Sequence, residues 1–329
     1  MRPKFQKLIV LAGMLVVSTM LAGGCGSSVA STLRGIEGGS IGEEYDLSGA
    51  TLSVGSKEFT EQLILGNITK LALQAAGADM RDQIGLASSS AAREALKADY
   101  IDMYWEYTGT GWITHLQNTE PLSSRQAQFE AVKKEDLEEN NIVWVSPPAP
   151  ANNTYAIAVR EEAYEELGVK KLSDFPQLVQ NRPDAATLCV ASEFANRDDG
   201  LPGMEEAYGF EFPDNNVSLL ALGVIYQSVD QGDPCNFGEV FQTDGRIAGL
   251  DLKIIEDDKN FFAPYNPALT MRQETYEKYP QIKDLMAPIT KKLDTETLRD
   301  LNRKVDVDGS FPDVVAEEWL RENGFIGEQ

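Results

Sequence analysis

Past residue 50 the chain alternates short apolar runs with stretches of near-helical apolar spacing. Leu52 and Val54 lie on one face of a strand that breaks at Gly55-Ser56. From Glu61 to Ala76, Leu63, Ile64, Ile68, Leu71 and Leu73 predict an amphipathic helix, with Thr60 or Ser56 as N-cap and Gly77 as its stop. A serine run from Ala87 caps a short helix to Leu96, and Ile101 to Tyr107 reads as a second strand closing on Thr108-Gly-Thr-Gly-Trp112. This alternation predicts an α/β protein with a parallel sheet.

Gln126 to Glu139 is a charged surface helix. Ser146-Pro-Pro-Ala-Pro150 can continue neither a helix nor a central strand, so it reads as a crossover to a second lobe. That lobe opens on Thr154–Val159, the clearest buried strand. It continues through a helix opening at Leu172-Ser-Asp-Phe175, a strand over Ala186–Val190 and an apolar helix over Val217–Val229. Gly238 to Ile247 reads as a strand and turn, and Leu252–Glu256 as one more strand. Phe261-Phe-Ala-Pro-Tyr-Asn-Pro267 reads as the return crossover, and Gln281–Asn302 and Asp313–Asn323 as helical. The expected divisions are residues 50–151 with 259–329 as lobe 1 and 152–258 as lobe 2, with a ligand cleft between them that closes by hinging.

The N-terminus stands apart. Arg2, Lys4 and Lys7 precede an apolar run from Leu8 to Leu21, then Ala22-Gly23-Gly24 and Cys25. Residues 1–25 resemble a bacterial lipoprotein signal in which Cys25 becomes the lipidated first residue, although Leu21 sits four residues before the cysteine where three is commoner. A plain secretory signal or a single anchoring helix is the alternative, and either way the mature protein is expected to be exported. Residues 26–49, rich in serine and glycine as far as Glu44, read as a flexible tether.

Composition narrows the function classes. The formal charge of −23 disfavours nucleic acid as a partner. A single histidine, His115, leaves no Ser-His-Asp or Cys-His arrangement and no histidine-based metal site. The fingerprints of nucleophile elbows, phosphate loops and dinucleotide folds are missing, and Gly109-Thr-Gly111 lacks the third glycine. No cofactor or metal is expected, and no catalytic residue is assigned; an exported hydrolase using paired carboxylates is the remote alternative. Cys189 and Cys235 form an even pair in an exported chain, which predicts a disulfide closing about 47 residues and adding roughly 4 kcal/mol by chain entropy.

Two local features bear on binding. Gly55-Ser-Lys57, just before a helix start, suits an anionic group, though an ordinary strand-to-helix turn with a solvated lysine has the same sequence. Tyr107, Tyr155, Phe241 and Tyr265 stand at strand ends or in a crossover, where four rings around one cleft would attract a quaternary ammonium; core or rim packing is the alternative.

Four motifs are similar, in order, to one family: Val54-Gly-Ser-Lys-Glu-Phe-Thr-Glu-Gln62, Asp102-Met-Tyr-Trp-Glu-Tyr-Thr-Gly-Thr110, Phe241-Gln-Thr-Asp-Gly-Arg246 and Phe261-Phe-Ala-Pro-Tyr265. It is the substrate-binding lipoproteins of ABC importers for glycine betaine, choline, carnitine and related osmoprotectants, and the form with Cys189 and Cys235 resembles actinobacterial members. The resemblance implies a two-lobe periplasmic-binding fold of type II-like topology, a monomer anchored by lipid on the extracytoplasmic face of the cell membrane, and an ABC permease as partner. It also implies an aromatic box of Tyr107, Tyr155, Phe241 and Tyr265 around a trimethylammonium head, with Phe241 departing from the usual tyrosine. A betaine carboxylate would meet Lys57, Thr110 and Arg197. Thr110 stands where choline-restricted relatives carry aspartate, which tilts the expectation towards betaines. The same fold binding choline only, an amino acid or a polyamine is the competing expectation.

Overall fold

A computed structural model describes residues 38–327 apart from 119–121, 123 and 146. The signal segment, Cys25 and Ser146 lie outside the described residues. Two five-stranded sheets form. The strands are β1 (Thr51–Lys57), β2 (Asp79–Leu86), β3 (Met103–Tyr107), β4 (Ile142–Trp144), β5 (Tyr155–Val159), β6 (Leu188–Val190), β7 (Val217–Leu219), β8 (Phe237–Phe241), β9 (Lys253–Ile254) and β10 (Pro267–Arg272). The first sheet runs β2-β1-β3-β10-β4 and the second β7-β6-β8-β5-β9.

Both sheets are mixed, where the strand–helix alternation predicted a parallel one. β1 is parallel to β2 and β3, but β10 runs antiparallel to β3 and β4. In the second sheet β6 is parallel to β7 and β8, while β5 is antiparallel to β8 and β9. The reversals follow from the route of the chain. β5 and β10 each enter their sheet from a crossover, so each starts at the edge where its neighbour ends: Tyr155 lies opposite Phe241, and Pro267 opposite Tyr107.

The first lobe is built on the helix Thr60–Ala75, whose buried face of Ile64, Leu65 and Ile68 packs with Val54, Trp105 and Leu269. Each such side chain removed from water contributes roughly 1.5–3 kcal/mol. The C-terminal helices Ile282–Lys292, Thr295–Asp306 and Pro312–Glu322 close this core with Leu285, Leu298 and Leu320. The second lobe centres on Phe175, which meets Phe237 at 4.9 Å and Phe210 at 5.2 Å between ring centroids. Cys189 and Cys235 are joined.

Several local expectations are corrected. Residue 59, in extended conformation, is the N-cap of the helix expected to start under Thr60 or Ser56. The Thr60 hydroxyl donates instead to Asp306 Oδ1 at 2.6 Å, and the Ser56 hydroxyl to the Lys57 carbonyl at 2.8 Å. The apolar run from Val217 divides: Val217 pairs with Leu188 in β7, and the helix spans Leu222–Gln231. The expected strand over Leu252–Glu256 shrinks to Lys253–Ile254, while Gln281–Asn302 is helical as expected, in two helices.

Candidate binding site

One cavity of about 700 Å³ lies between the sheets, and all seven residues singled out in the sequence line it: Lys57, Tyr107, Thr110, Tyr155, Arg197, Phe241 and Tyr265. The register explains the gathering. Tyr107 ends β3, Tyr155 begins β5, Phe241 ends β8, and Tyr265 stands two residues before β10. Each ring therefore sits where a strand meets the cleft.

The rings form a continuous wall. Tyr155 touches Phe241 at 5.3 Å and Tyr265 at 5.6 Å between centroids. Phe59 joins them, 5.1 Å from Phe241 and 6.1 Å from Tyr107. Phe59 lies inside the first motif, but nothing in its local pattern separates a cage ring from a helix-capping apolar residue. Close backbone approach fixes Tyr265 in turn: a Cβ on Gly109 would stand 2.7 Å from its ring, so this turn needs glycine.

The three cations at the cavity, Lys57, Arg197 and Arg246, already have carboxylate partners, Arg246 in Asp244 at 2.6 Å. Lys57 Nζ donates to Glu106 Oε1 at 2.6 Å and lies 5.2 Å from the centre of the Tyr107 ring. Glu106, fully buried, also accepts from the Tyr104 hydroxyl at 2.9 Å and the Tyr107 N–H at 2.7 Å, and meets His115 Nε2 at 2.9 Å. Burial alone would raise the Glu106 carboxyl, but Lys57 and His115 outweigh it and hold the group well below the usual carboxylate range. Arg197 grips Asp199 through Nε at 2.7 Å and Nη2 at 2.5 Å, and reaches Glu193 through Nη1 at 2.9 Å. Its Nη2 also donates to the Tyr265 hydroxyl at 3.3 Å, and that hydroxyl donates to Asp199. Arg197 therefore stands as an anchor of the Tyr265 ring as well as a cation at the cavity wall. Thr110, buried, opens the short π-helical stretch Thr110–His115 that carries His115 back to Glu106.

Sequence reasoning placed Glu61 only in the first turn of a helix. The structure makes it the meeting point of the whole site. Its carboxylate accepts from the Tyr107 hydroxyl at 2.7 Å, Asn153 Nδ2 at 2.9 Å, the Thr243 hydroxyl at 2.5 Å and Asn302 Nδ2 at 3.2 Å. These donors come from β3, the outgoing crossover, the loop after β8 and a C-terminal helix. Burial raises the Glu61 carboxyl, and the four hydrogen bonds only partly oppose it.

The crossovers run side by side. Asn153 N–H donates to the Tyr265 carbonyl at 2.9 Å, Tyr265 N–H to Asn152 Oδ1 at 2.7 Å, and the Thr154 hydroxyl to the Ala263 carbonyl at 2.9 Å. Among the described residues no cluster of metal-ligating side chains is found, and no helix is long and apolar enough to cross a membrane.

Two α/β lobes joined by paired crossovers, with a cavity between them walled by strand ends, have the architecture of the periplasmic type of solute-binding protein. The chain belongs to the OpuAC family, the substrate-binding domain of ABC-type glycine betaine transport systems, whose family model matches residues 50–322. A glycine-betaine-binding protein of Pseudomonas aeruginosa is 36% identical over 281 residues, covering 84% of this chain and 89% of the relative. The glycine betaine-binding protein YehZ of Escherichia coli is 33% identical over 279 residues, 83% of this chain and 91% of its own. The apo structure of YehZ superposes with a TM-score of 0.61, covering 84% of this chain and all of that one. An ergothioneine transport permease/binding protein of Helicobacter pylori is 32% identical over 274 residues, 83% of this chain but 48% of the relative.

Proposed function

We propose that this protein captures glycine betaine or a related quaternary ammonium compound outside the cytoplasmic membrane and delivers it to an ABC permease. The observation that carries the reading is the wall of five rings, Phe59, Tyr107, Tyr155, Phe241 and Tyr265, on one cavity. A quaternary ammonium donates no hydrogen bond, so dispersion and cation–π contact must hold it, at about 0.5–2 kcal/mol for each favourable face. Lys57, Thr110 and Arg197 are the groups for a ligand carboxylate. Their partners matter here: Lys57 and Arg197 are already neutralised by Glu106, Asp199 and Glu193, which favours choline, a cation with no carboxylate, as the second reading. In this reading the lobes are residues 50–151 with 259–329 and 152–258, closing on the ligand as a monomer. Cys25 carries the lipid, as in the actinobacterial members that the cysteine pair resembles; the tether expected over residues 26–49 is shorter, because Gly39–Glu44 forms a helix whose Ile41 packs with Leu47 in the core of the first lobe.

Calorimetric titration with glycine betaine, choline, carnitine and proline betaine tests this directly. At least one is expected to bind well below 1 mM; no binding below about 1 mM for any of them overturns the reading. Tyr265→Ala removes one ring and the hydroxyl that Arg197 and Asp199 hold. It is expected to weaken whichever of these ligands binds by about tenfold or more, and an affinity within twofold of wild type would remove Tyr265 from the cage. Cys25→Ser is expected to release the protein from the membrane fraction in cells of its source, read by fractionation and immunoblot. Retention on the membrane would remove lipidation from the account.

A further inference from the structure

The motif Phe241-Gln-Thr-Asp-Gly-Arg246 supplies one ring to the cage, and the residues after that ring meet the opposite lobe. The helix Thr295–Asp306 is what they meet. Its Leu298 and Leu301 turn into the first core, while Arg299, Asn302, Arg303 and Asp306, spaced three or four apart, share another face. Arg299 Nε donates to the Gln242 carbonyl at 2.9 Å, and Asn302 Nδ2 to the Thr243 carbonyl at 3.0 Å. Asp306 Oδ2 stands 3.8 Å from Arg246 Nε. Between these contacts the two backbones nearly touch: a Cβ on Gly245 would stand 2.5 Å from Arg303 Cα. Gly245 has φ −69° and ψ −23°, a helical conformation open to any L-residue, so the close approach alone calls for glycine. The seam joins the lobes through protein groups only, and Gln242, Gly245, Arg299 and Arg303 stand outside the cavity lining.

We propose that Gly245 and Arg299 are positioning residues that favour the closed arrangement of the lobes and so set the strength of ligand capture without touching the ligand. The cage draws rings from both lobes, so only the closed form presents all of them. The apparent affinity for any ligand is its intrinsic affinity multiplied by the fraction of molecules in the competent form. Seam residues therefore scale every affinity by one factor, whereas residues that touch the ligand change the ranking among ligands. The affinity half of the proposal rests on the solute-binding reading above; the effect on lobe closure does not.

The test uses Gly245→Ala, whose added methyl meets the helix backbone only when the lobes are together, and Arg299→Ala, which removes one hydrogen bond at an exposed position. Calorimetry with glycine betaine, choline and carnitine is expected to show Gly245→Ala weakening every ligand that binds by one common factor of about tenfold, and Arg299→Ala by a common factor of about threefold. Small-angle X-ray scattering of ligand-free protein is expected to give Gly245→Ala a larger radius of gyration than wild type. Affinities unchanged in both variants, or losses that differ from ligand to ligand by more than threefold, overturn the proposal and leave the cage reading standing. Equal radii for wild type and Gly245→Ala overturn it as well. If none of the three ligands binds wild type, the solute reading fails and the scattering comparison alone decides the seam. Should Gly245→Ala not fold, Arg299→Ala takes its place in both measurements.

Discussion

Replacing Lys57 with methionine is expected to cost about 3–5 kcal/mol of unfolding free energy at neutral pH, because it strands the fully buried Glu106 without its cation. The measurement is urea denaturation of ligand-free protein. Adding Glu106→Gln to the variant is expected to return part of the loss, since the stranded charge goes with it. A loss below 1 kcal/mol would mean that Glu106 does not need Lys57. The sign with pH follows from the depressed carboxyl. A glutamate in the unfolded chain titrates near 4.3, and folded Glu106 titrates lower, so the stability it contributes is present above about pH 4.3 and is lost as pH falls below it. The gap between wild type and variant is thus expected to narrow in acid. If Lys57 also meets a ligand carboxylate, the variant loses more affinity for glycine betaine than for choline; equal losses would confine Lys57 to its structural role.

Glu61→Leu is expected to be comparably damaging. Four donors now share this carboxylate, and leucine would leave the Tyr107 and Thr243 hydroxyls and Asn153 Nδ2 without this acceptor, while Asn302 Nδ2 keeps the Thr243 carbonyl. At about 1–3 kcal/mol for each stranded buried group, the loss reaches several kcal/mol. Glu61→Gln keeps the volume and one good acceptor oxygen but introduces an NH₂ among four donors, so a smaller loss is expected. Because Thr243 lies just beyond the second sheet while Tyr107 and Asn302 belong to the first lobe, the glutamine variant is also expected to bind any cage ligand more weakly, by about tenfold. Wild-type stability in the leucine variant would show that Glu61 joins nothing of consequence.

The contrast between what the sequence announces and what it hides follows from range. β1, β3 and β5 are legible because their apolar residues are consecutive or alternate and are buried within their own sheets. β2 is not: Asp79-Met-Arg-Asp-Gln-Ile-Gly-Leu86 is an edge strand with no fully buried residue, so no apolar period marks it. β10 sits between β3 and β4 yet begins at Pro267, which reads as a break; a proline is tolerated there because it is the first residue of the strand. The four rings picked from the sequence are visible because Tyr107, Tyr155 and Phe241 stand at strand ends and Tyr265 in the crossover just before β10. The roles of Glu61, Glu106 and Glu193 are invisible for the opposite reason. Each is one carboxylate among 52 acidic residues, and only its distant partners distinguish it.

The paired crossovers carry a consequence for how such a molecule is put together. Asn266 Nδ2 bonds the carbonyls of both Ala149 and Ala151, so the chain leaves the first lobe and re-enters it at nearly the same point. Topologically the second lobe is an insertion in a single loop of the first, the arrangement in which one unit can be exchanged without re-threading the other. Tyr155 lies just inside that insertion and Tyr265 just at its exit, on the two cords that join the lobes. A replacement of the inserted lobe would change the far wall of the cavity, with Glu193, Glu239 and Phe241, while Lys57, Tyr107 and Thr110 stayed in place.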